Sequence, residues 1–142
     1  MGKLILAFDP GASVGFAALS SDGRLTVTRT IWANDLDAFL QHLRVKLFPA
    51  EYDVVVEKSP EFQHHSPVTK RVEAILVEEY PEAHLVQPSQ WKNHPVSRRK
   101  LQGQLTQHER DAAHLALWFQ SRRDSAHQAA DATGADAGSS RR

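Results

Sequence analysis

Four side chains have the types and the setting for chemistry on a bound cation. Asp9 follows the apolar run Leu4–Phe8 and precedes Pro10-Gly11. Glu57 closes the short run Asp53-Val54-Val55-Val56-Glu57, and His108 and Asp111 stand near the start of a helical stretch. Ligands of open α/β sheets bind beyond the carboxyl ends of strands, which is where Asp9 and Glu57 project. Residues three apart on a helix share a face, so His108 and Asp111 form a local pair. Carboxylates gathered at the edge of one core repel each other, and a divalent cation relieves that repulsion. Hard oxygen donors with one imidazole suit Mg²⁺ or Mn²⁺ better than zinc. Two such ions about 3.5–4 Å apart activate water and stabilise the leaving oxygen in phosphodiester hydrolysis. Each residue also has a plain structural reading. Asp before Pro-Gly initiates turns, a glutamate ends many solvated strands, Asp111 complements a helix N-terminus, and a lone histidine is most often simply exposed.

Phosphate chemistry also calls for cationic side chains. Between Glu82 and Glu109 there is no acidic residue, while Lys92, Arg98, Arg99 and Lys100 supply four positive charges; Lys58, Lys70 and Arg71 flank the Glu57 run. Such a local basic segment fits contact with a phosphate backbone, and equally a solvated polar loop. The totals constrain this reading: 17 basic and 17 acidic residues in a chain of 142 give no net charge, which excludes indiscriminate coating of nucleic acid. Cysteine is absent, so a disulfide scaffold, a Cys-based zinc site and a thiol nucleophile are excluded. No apolar run approaches the eighteen or so residues of a membrane span, and the N-terminus is too short for a signal-peptide core. No membrane partner and a cytoplasmic location are expected.

The elements that must position these groups follow from periodicity. Leu4–Phe8 reads as a strand buried on both faces, Val14–Leu19 as a second, and Ser21-Asp22-Gly23-Arg24 as a hairpin loop into Leu25–Ile31. Asn34 is placed to cap a helix whose stripe is Leu36, Phe39, Leu40, Leu43 and Leu47, ended by Pro49. Asp53–Glu57 is a short buried strand, residues 60–67 a loop, and Val68, Val72, Ile75, Leu76 and Tyr80 the stripe of a second helix. His84–Gln87 is a brief strand, and Gln90–Gly103 is polar and basic. Thr106-Gln107-His108-Glu109 fits a capping box, Thr106 accepting from the fourth residue's amide and Glu109 reaching back to the cap. Ala112, Leu115, Ala116 and Phe119 give the last helix its buried face. After Phe119 no Val, Ile, Leu, Met or aromatic residue remains, so 122–142 is expected as a flexible tail behind one domain, 1–121. The order indicates an α/β domain with a mixed sheet.

The segment Leu4-Ile-Leu-Ala-Phe-Asp9-Pro-Gly11-Ala-Ser-Val-Gly15-Phe-Ala resembles the first strand and hairpin of the RuvC-like Holliday-junction resolvases, within the ribonuclease-H-like superfamily. Val54-Val-Val-Glu57 resembles that family's second acidic strand. His108-Glu-Arg-Asp111-Ala112-Ala resembles its C-terminal acidic helix, and Gln87-Pro-Ser-Gln-Trp91-Lys92 the stretch that introduces a DNA-contacting lysine in phage-type members. The resemblance covers roughly residues 3–120. It implies a ribonuclease-H-like mixed sheet, an antiparallel three-stranded meander plus parallel strands, flanked by helices. It implies Asp9, Glu57, His108 and Asp111 as catalytic groups and ligands of Mg²⁺ or Mn²⁺, two ions per site. A histidine at the position of His108 ligates only when neutral, so acid should weaken metal binding. Lys92 and Lys100 match basic residues near the scissile phosphate, and Phe62 is the candidate for an aromatic that disturbs bases at a junction. Lys58, Lys70, Arg71, Arg98 and Arg99 complete the expected DNA-binding set. The implied activity is resolution of four-way DNA junctions by paired symmetric nicks, leaving 5′-phosphate and 3′-hydroxyl ends. The implied assembly is a homodimer, with the helix of Val68, Val72, Ile75 and Leu76 as its interface, and no nucleotide cofactor is needed.

Three other readings compete. A ribonuclease-H-like nuclease on RNA–DNA hybrids or RNA precursors would use the same site. An actin- or sugar-kinase-like nucleotide hydrolase also opens on an Asp-x-Gly pattern, here Asp9-Pro-Gly11, although that fold normally needs two such domains. A non-catalytic binding module would keep the fold without the chemistry.

Overall fold

The computed structural model describes residues 3–58, 66–93 and 105–140, with side chains described as far as Ala126. The strands are β1 (Leu4–Asp9), β2 (Ser13–Leu19), β3 (Leu25–Trp32), β4 (Tyr52–Glu57) and β5 (His84–Val86). The helices are α1 (Leu36–Leu47), α2 (Pro67–Glu79), the short α3 (Pro88–Trp91) and α4 (Gln107–Ser140). The strands form one sheet in the order β3-β2-β1-β4-β5. β1, β2 and β3 pair antiparallel, while β1–β4 and β4–β5 pair parallel. This is the mixed sheet flanked by helices expected from the sequence, and it is compatible with a ribonuclease-H-like fold.

The continuous apolar runs of β1 and β2 are explained by burial on both faces. On one face Leu6, Phe8, Val14, Phe16, Val54 and Val56 pack with Leu36, Leu40 and Leu43 of α1 and Val72 and Leu76 of α2. On the other, Ile5, Ala7, Leu19, Val55 and Val86 pack with Trp91 of α3 and Leu115, Ala116 and Trp118 of α4. Small residues bring α4 close, since Ala17 of β2 lies directly against Ala112 and Ala113. The stripe of α2 serves this core: Val72 and Leu76 are fully buried, and Val68 and Ile75 are packed against them. Val72 and Leu76 are thus spent on the core, while Val68 and Ile75 stay partly exposed. Among the described residues, no helix is long and apolar enough to cross a membrane.

Two local expectations, at the starts of α1 and α4, are corrected. Asn34 does not cap α1; it lies inside a 3-10 turn, Ala33–Asp35, and α1 begins at Leu36 after Asp35. The capping box at α4 is half made: the Glu109 amide donates to Thr106 Oγ1 at 3.1 Å, but the Glu109 carboxylate accepts from Thr28 and Thr30 of β3 instead. The stretch expected as a tail from residue 122 begins as helix, and α4 continues to Ser140. Absence of apolar residues rules out burial, not helicity, and alanine is the strongest helix former. Arg123 donates to Asp53 Oδ2 at 3.0 Å and to the Lys3 carbonyl at 3.2 Å, so the described fold reaches past residue 121.

Candidate active site at the strand ends

Parallel pairing of β1 with β4 sets Phe8 opposite Val56, which makes Asp9 and Glu57 neighbours one residue further on. Strand alternation settles their direction. Leu6, Phe8, Val54 and Val56 belong to the α1/α2 face, so Asp9 and Glu57 point to the face that α4 covers. The two carboxyl groups share a hydrogen bond. Glu57 is the single buried charged residue among those described, at 8% exposure. Burial, and then the hydrogen bond and charge of Asp9, push its carboxyl up to about 8 from an ordinary 4.5. Asp9 is raised too, by burial first and with the charge of Asp111 adding to it. Both carboxyls are thus biased toward the protonated form, because two buried carboxylates in contact do not readily both ionise.

α4 delivers the other two candidates. Its first turn crosses β2 at Gly15, the residue paired with Asp9, and a Cβ there would collide with the His108 carbonyl. Glycine is required at this point by close approach of two backbones. Glu109 ties the same turn to β3: its carboxylate accepts from Thr28 Oγ1 at 3.3 Å and Thr30 Oγ1 at 3.1 Å, and Thr30 Oγ1 meets Thr106 Oγ1 at 2.8 Å. So anchored, Asp111 and His108 act on Asp9 through their charge, Asp111 raising and His108 lowering its pKa. Asp111 Oδ1 accepts from Gln107 Nε2 at 2.9 Å. Among the described residues no group of three or more His, Asp or Glu side chains is already drawn together as a metal cage. Asp9 and Glu57 are in contact, and Asp111 and His108 stand around them.

Lys92 joins the site from α3. Its Nζ lies 4.0 Å from Glu57 Oε1 and 5.7 Å from the Trp91 ring, and it lowers the pKa of both carboxyls. Trp91 is buried at 1% exposure, its ring edge-on to His114 at 5.0 Å. The polar reading of 90–103 missed this: a single aromatic among polar neighbours carries no periodicity. Lys58 and Lys70 meet elsewhere, around a cavity of about 280 Å³ that Val77 and Leu85 also line, on the α2 side of the sheet. Arg71 is exposed on α2. Phe62, Arg98, Arg99 and Lys100 lie outside the described residues.

Carboxylate oxygens are the donor type a divalent cation takes. The pair offers such hard oxygens, and a cation would replace any proton held there. At the opposite end of the sheet two acids have cationic partners. A cavity of about 610 Å³ is lined there by Lys3, Asp53, Glu79 and His84 among others, with Asp53 paired to Arg123 and Lys3 and Glu79 to Arg44.

No family model matches the sequence, and no curated protein matches it. Solved structures to which the chain is similar include a ROK family protein from Streptococcus pneumoniae in complex with sucrose, at 17% identity and a TM-score of 0.37. The match covers 61% of this chain and 35% of that one, so the chain spans about a third of that protein's length. A likeness of this degree bears on neither fold nor function.

Proposed function

We propose that this chain is a metal-dependent endonuclease that resolves four-way DNA junctions by paired symmetric nicks, acting in the cytoplasm as a homodimer. The observation that carries the reading is the adjacent Asp9–Glu57 carboxyl pair at the carboxyl ends of two parallel strands, facing α4, with Lys92 beside it. Asp9 and Glu57 would hold Mg²⁺ or Mn²⁺, with Asp111 and His108 as the further ligands. A cation bound there supplies Lewis-acid activation of water and charge stabilisation at the scissile phosphate. The chain's own groups do the rest. Asp9 and Glu57 would lose to solvent any proton they hold as a cation binds, and Gln107 holds Asp111 by its Oδ1. Lys92 is free to turn from Glu57 toward a phosphate oxygen, since its side chain is half exposed. Hydrolysis at phosphorus with the 3′-oxygen leaving gives a 5′-phosphate and a 3′-hydroxyl. Two such sites in a twofold dimer match the two equivalent strands of a junction.

The test is cleavage of a synthetic four-way junction, with duplex and RNA–DNA hybrid in parallel, in Mg²⁺ or Mn²⁺. Asp9→Asn and Glu57→Gln should each lose roughly 10²–10³-fold or more, the scale of removing a group that stabilises transition-state charge. Full cutting by both variants sinks the assignment. Preferential cutting of the hybrid would move the substrate to RNA–DNA duplexes while keeping the site.

A further inference from the structure

Among the described residues the exposed large apolar side chains are Val27, Trp32, Val45, Phe48, Val77 and Leu85. Five of them lie on the α1/α2 side. Val27 pairs with Ala18, whose side chain belongs to that core; Val45 and Phe48 end α1, Val77 is on α2, and Leu85 alternates with the α4-facing Val86. Trp32 is the exception. It shares strand parity with Thr28 and Thr30, which meet Glu109 of α4, so it stands on the α4 side, at 65% exposure.

It also stands at the carboxylate end. Trp32 pairs with Ser13, two residues beyond the Gly15 that pairs with Asp9. The amide of the next residue, Ala33, donates to the Ala12 carbonyl at 3.0 Å, which ties the end of β3 to the turn that follows Asp9. Two strands across and two residues along place Trp32 about 12 Å from Asp9 between Cα atoms. That is roughly three to four stacked base steps of about 3.4 Å. An indole left in water at such a place is costly to solubility and adds nothing to the core. Its flat face offers what a nucleobase out of its stack requires, independent of base identity.

We infer that Trp32 is a stacking platform for an unstacked base of the DNA strand that enters the Asp9–Glu57 site. This rests on the endonuclease reading and adds a residue that holds substrate away from the reacting phosphate. Trp32 takes part in binding and not in bond cleavage, so its removal should act on KM more than on kcat.

The chain has three tryptophans, and Trp91 and Trp118 are buried at 1% and 4% exposure. Emission from a solvent-exposed indole therefore reports Trp32. Adding an unlabelled four-way junction in EDTA, so that it stays intact, should quench that emission in the wild type, and the response should be absent in Trp32→Ala. In Mg²⁺, Trp32→Ala should raise KM for junction cleavage at least about fivefold, as loss of one base-stacking contact does, with kcat within about twofold. Trp32→Phe should stay near wild type, since it keeps a ring. If the wild type cuts junctions and Trp32→Ala matches it in KM, the platform is overturned and the endonuclease reading stands. If the wild type cuts no nucleic acid, the endonuclease reading fails and takes this inference with it. Conversion of a dimer to a monomer by Trp32→Ala, with no quenching by DNA in the wild type, would assign the ring to contact between copies and overturn the proposal.

Discussion

β4 carries two acids on one face, four residues apart, with opposite fates. Asp53 at its start is met by Arg123 at 3.0 Å and Lys3 at 3.9 Å. Glu57 at its end is met by a second carboxyl, Asp9, and by Lys92 at 4.0 Å. One strand, one face and one covering helix thus produce a neutralised end and an end short of positive charge. Buried charges are ordinarily paired because an unpaired one is expensive. On the proposed function, a fold that pairs Asp53 and leaves Glu57 beside another carboxyl would keep the second end as a place for an external cation. The two acids stand about 13 Å apart along the strand.

The sharpest way to break the comparison is to neutralise each acid in turn. Asp9→Asn and Glu57→Gln should abolish junction cleavage to the extent given above, while Asp53→Asn, measured in the same assay, should stay within a few-fold of wild type. Equal losses at both ends would mean that the acids do not differ in role.

Gly15 probes how the functional end is assembled. Gly15→Ala should push the first turn of α4 off the sheet, because its Cβ meets the His108 carbonyl backbone rather than a movable side chain. Displacement of catalytic groups by about 1 Å costs on the order of 10²-fold, and overpacking costs typically 1–3 kcal/mol. Cleavage rate and urea denaturation together would show activity falling further than stability explains.

Arg123 probes the structural end. Arg123→Ala removes its bonds to Asp53 and to the Lys3 carbonyl from a mostly buried setting, at 21% side-chain exposure. A loss of about 1–2 kcal/mol in urea unfolding is expected, with cleavage unchanged under folded conditions. If stability does not change, the Asp53 pairing carries no structural weight.

Acidity sharpens the contrast further. The Glu57 carboxyl is raised from 4.5 to about 8 in the folded chain, so between those values the native state binds more protons than the unfolded state. Stability contributed by this group is full below about pH 4.5, falls as pH rises toward about 8, and levels off above it. Glu57→Gln should flatten that slope and be the more stable protein at pH 8. Unfolding curves across pH 4–9 check the sign.

Much of this was legible in the sequence because it rests on local pattern. Apolar runs ending in an acid placed Asp9 and Glu57, and helical spacing placed His108 and Asp111 on one turn. What escaped depends on contacts far apart in the chain. Glu109 reads as a local cap, yet its partners Thr28 and Thr30 lie about eighty residues away. Gly15 reads as an ordinary strand residue until α4 lies on it. Trp91 looks like part of a polar stretch and is core, while Trp32, one residue past the strand expected to end at Ile31, extends that strand and is exposed; sequence pattern alone does not say which ring is covered. Arg123 reads as tail because its anchor is one salt bridge and no apolar side chain.

The most direct test of the account is thermal unfolding with and without Mg²⁺ or Mn²⁺ at pH 8, in wild type, Glu57→Gln and Asp53→Asn. Anything that binds only the folded state raises its stability by mass action. A melting temperature raised by several degrees is expected in wild type and Asp53→Asn, and little or no rise in Glu57→Gln. A rise of equal size in Glu57→Gln, or none in wild type at millimolar metal, would contradict it.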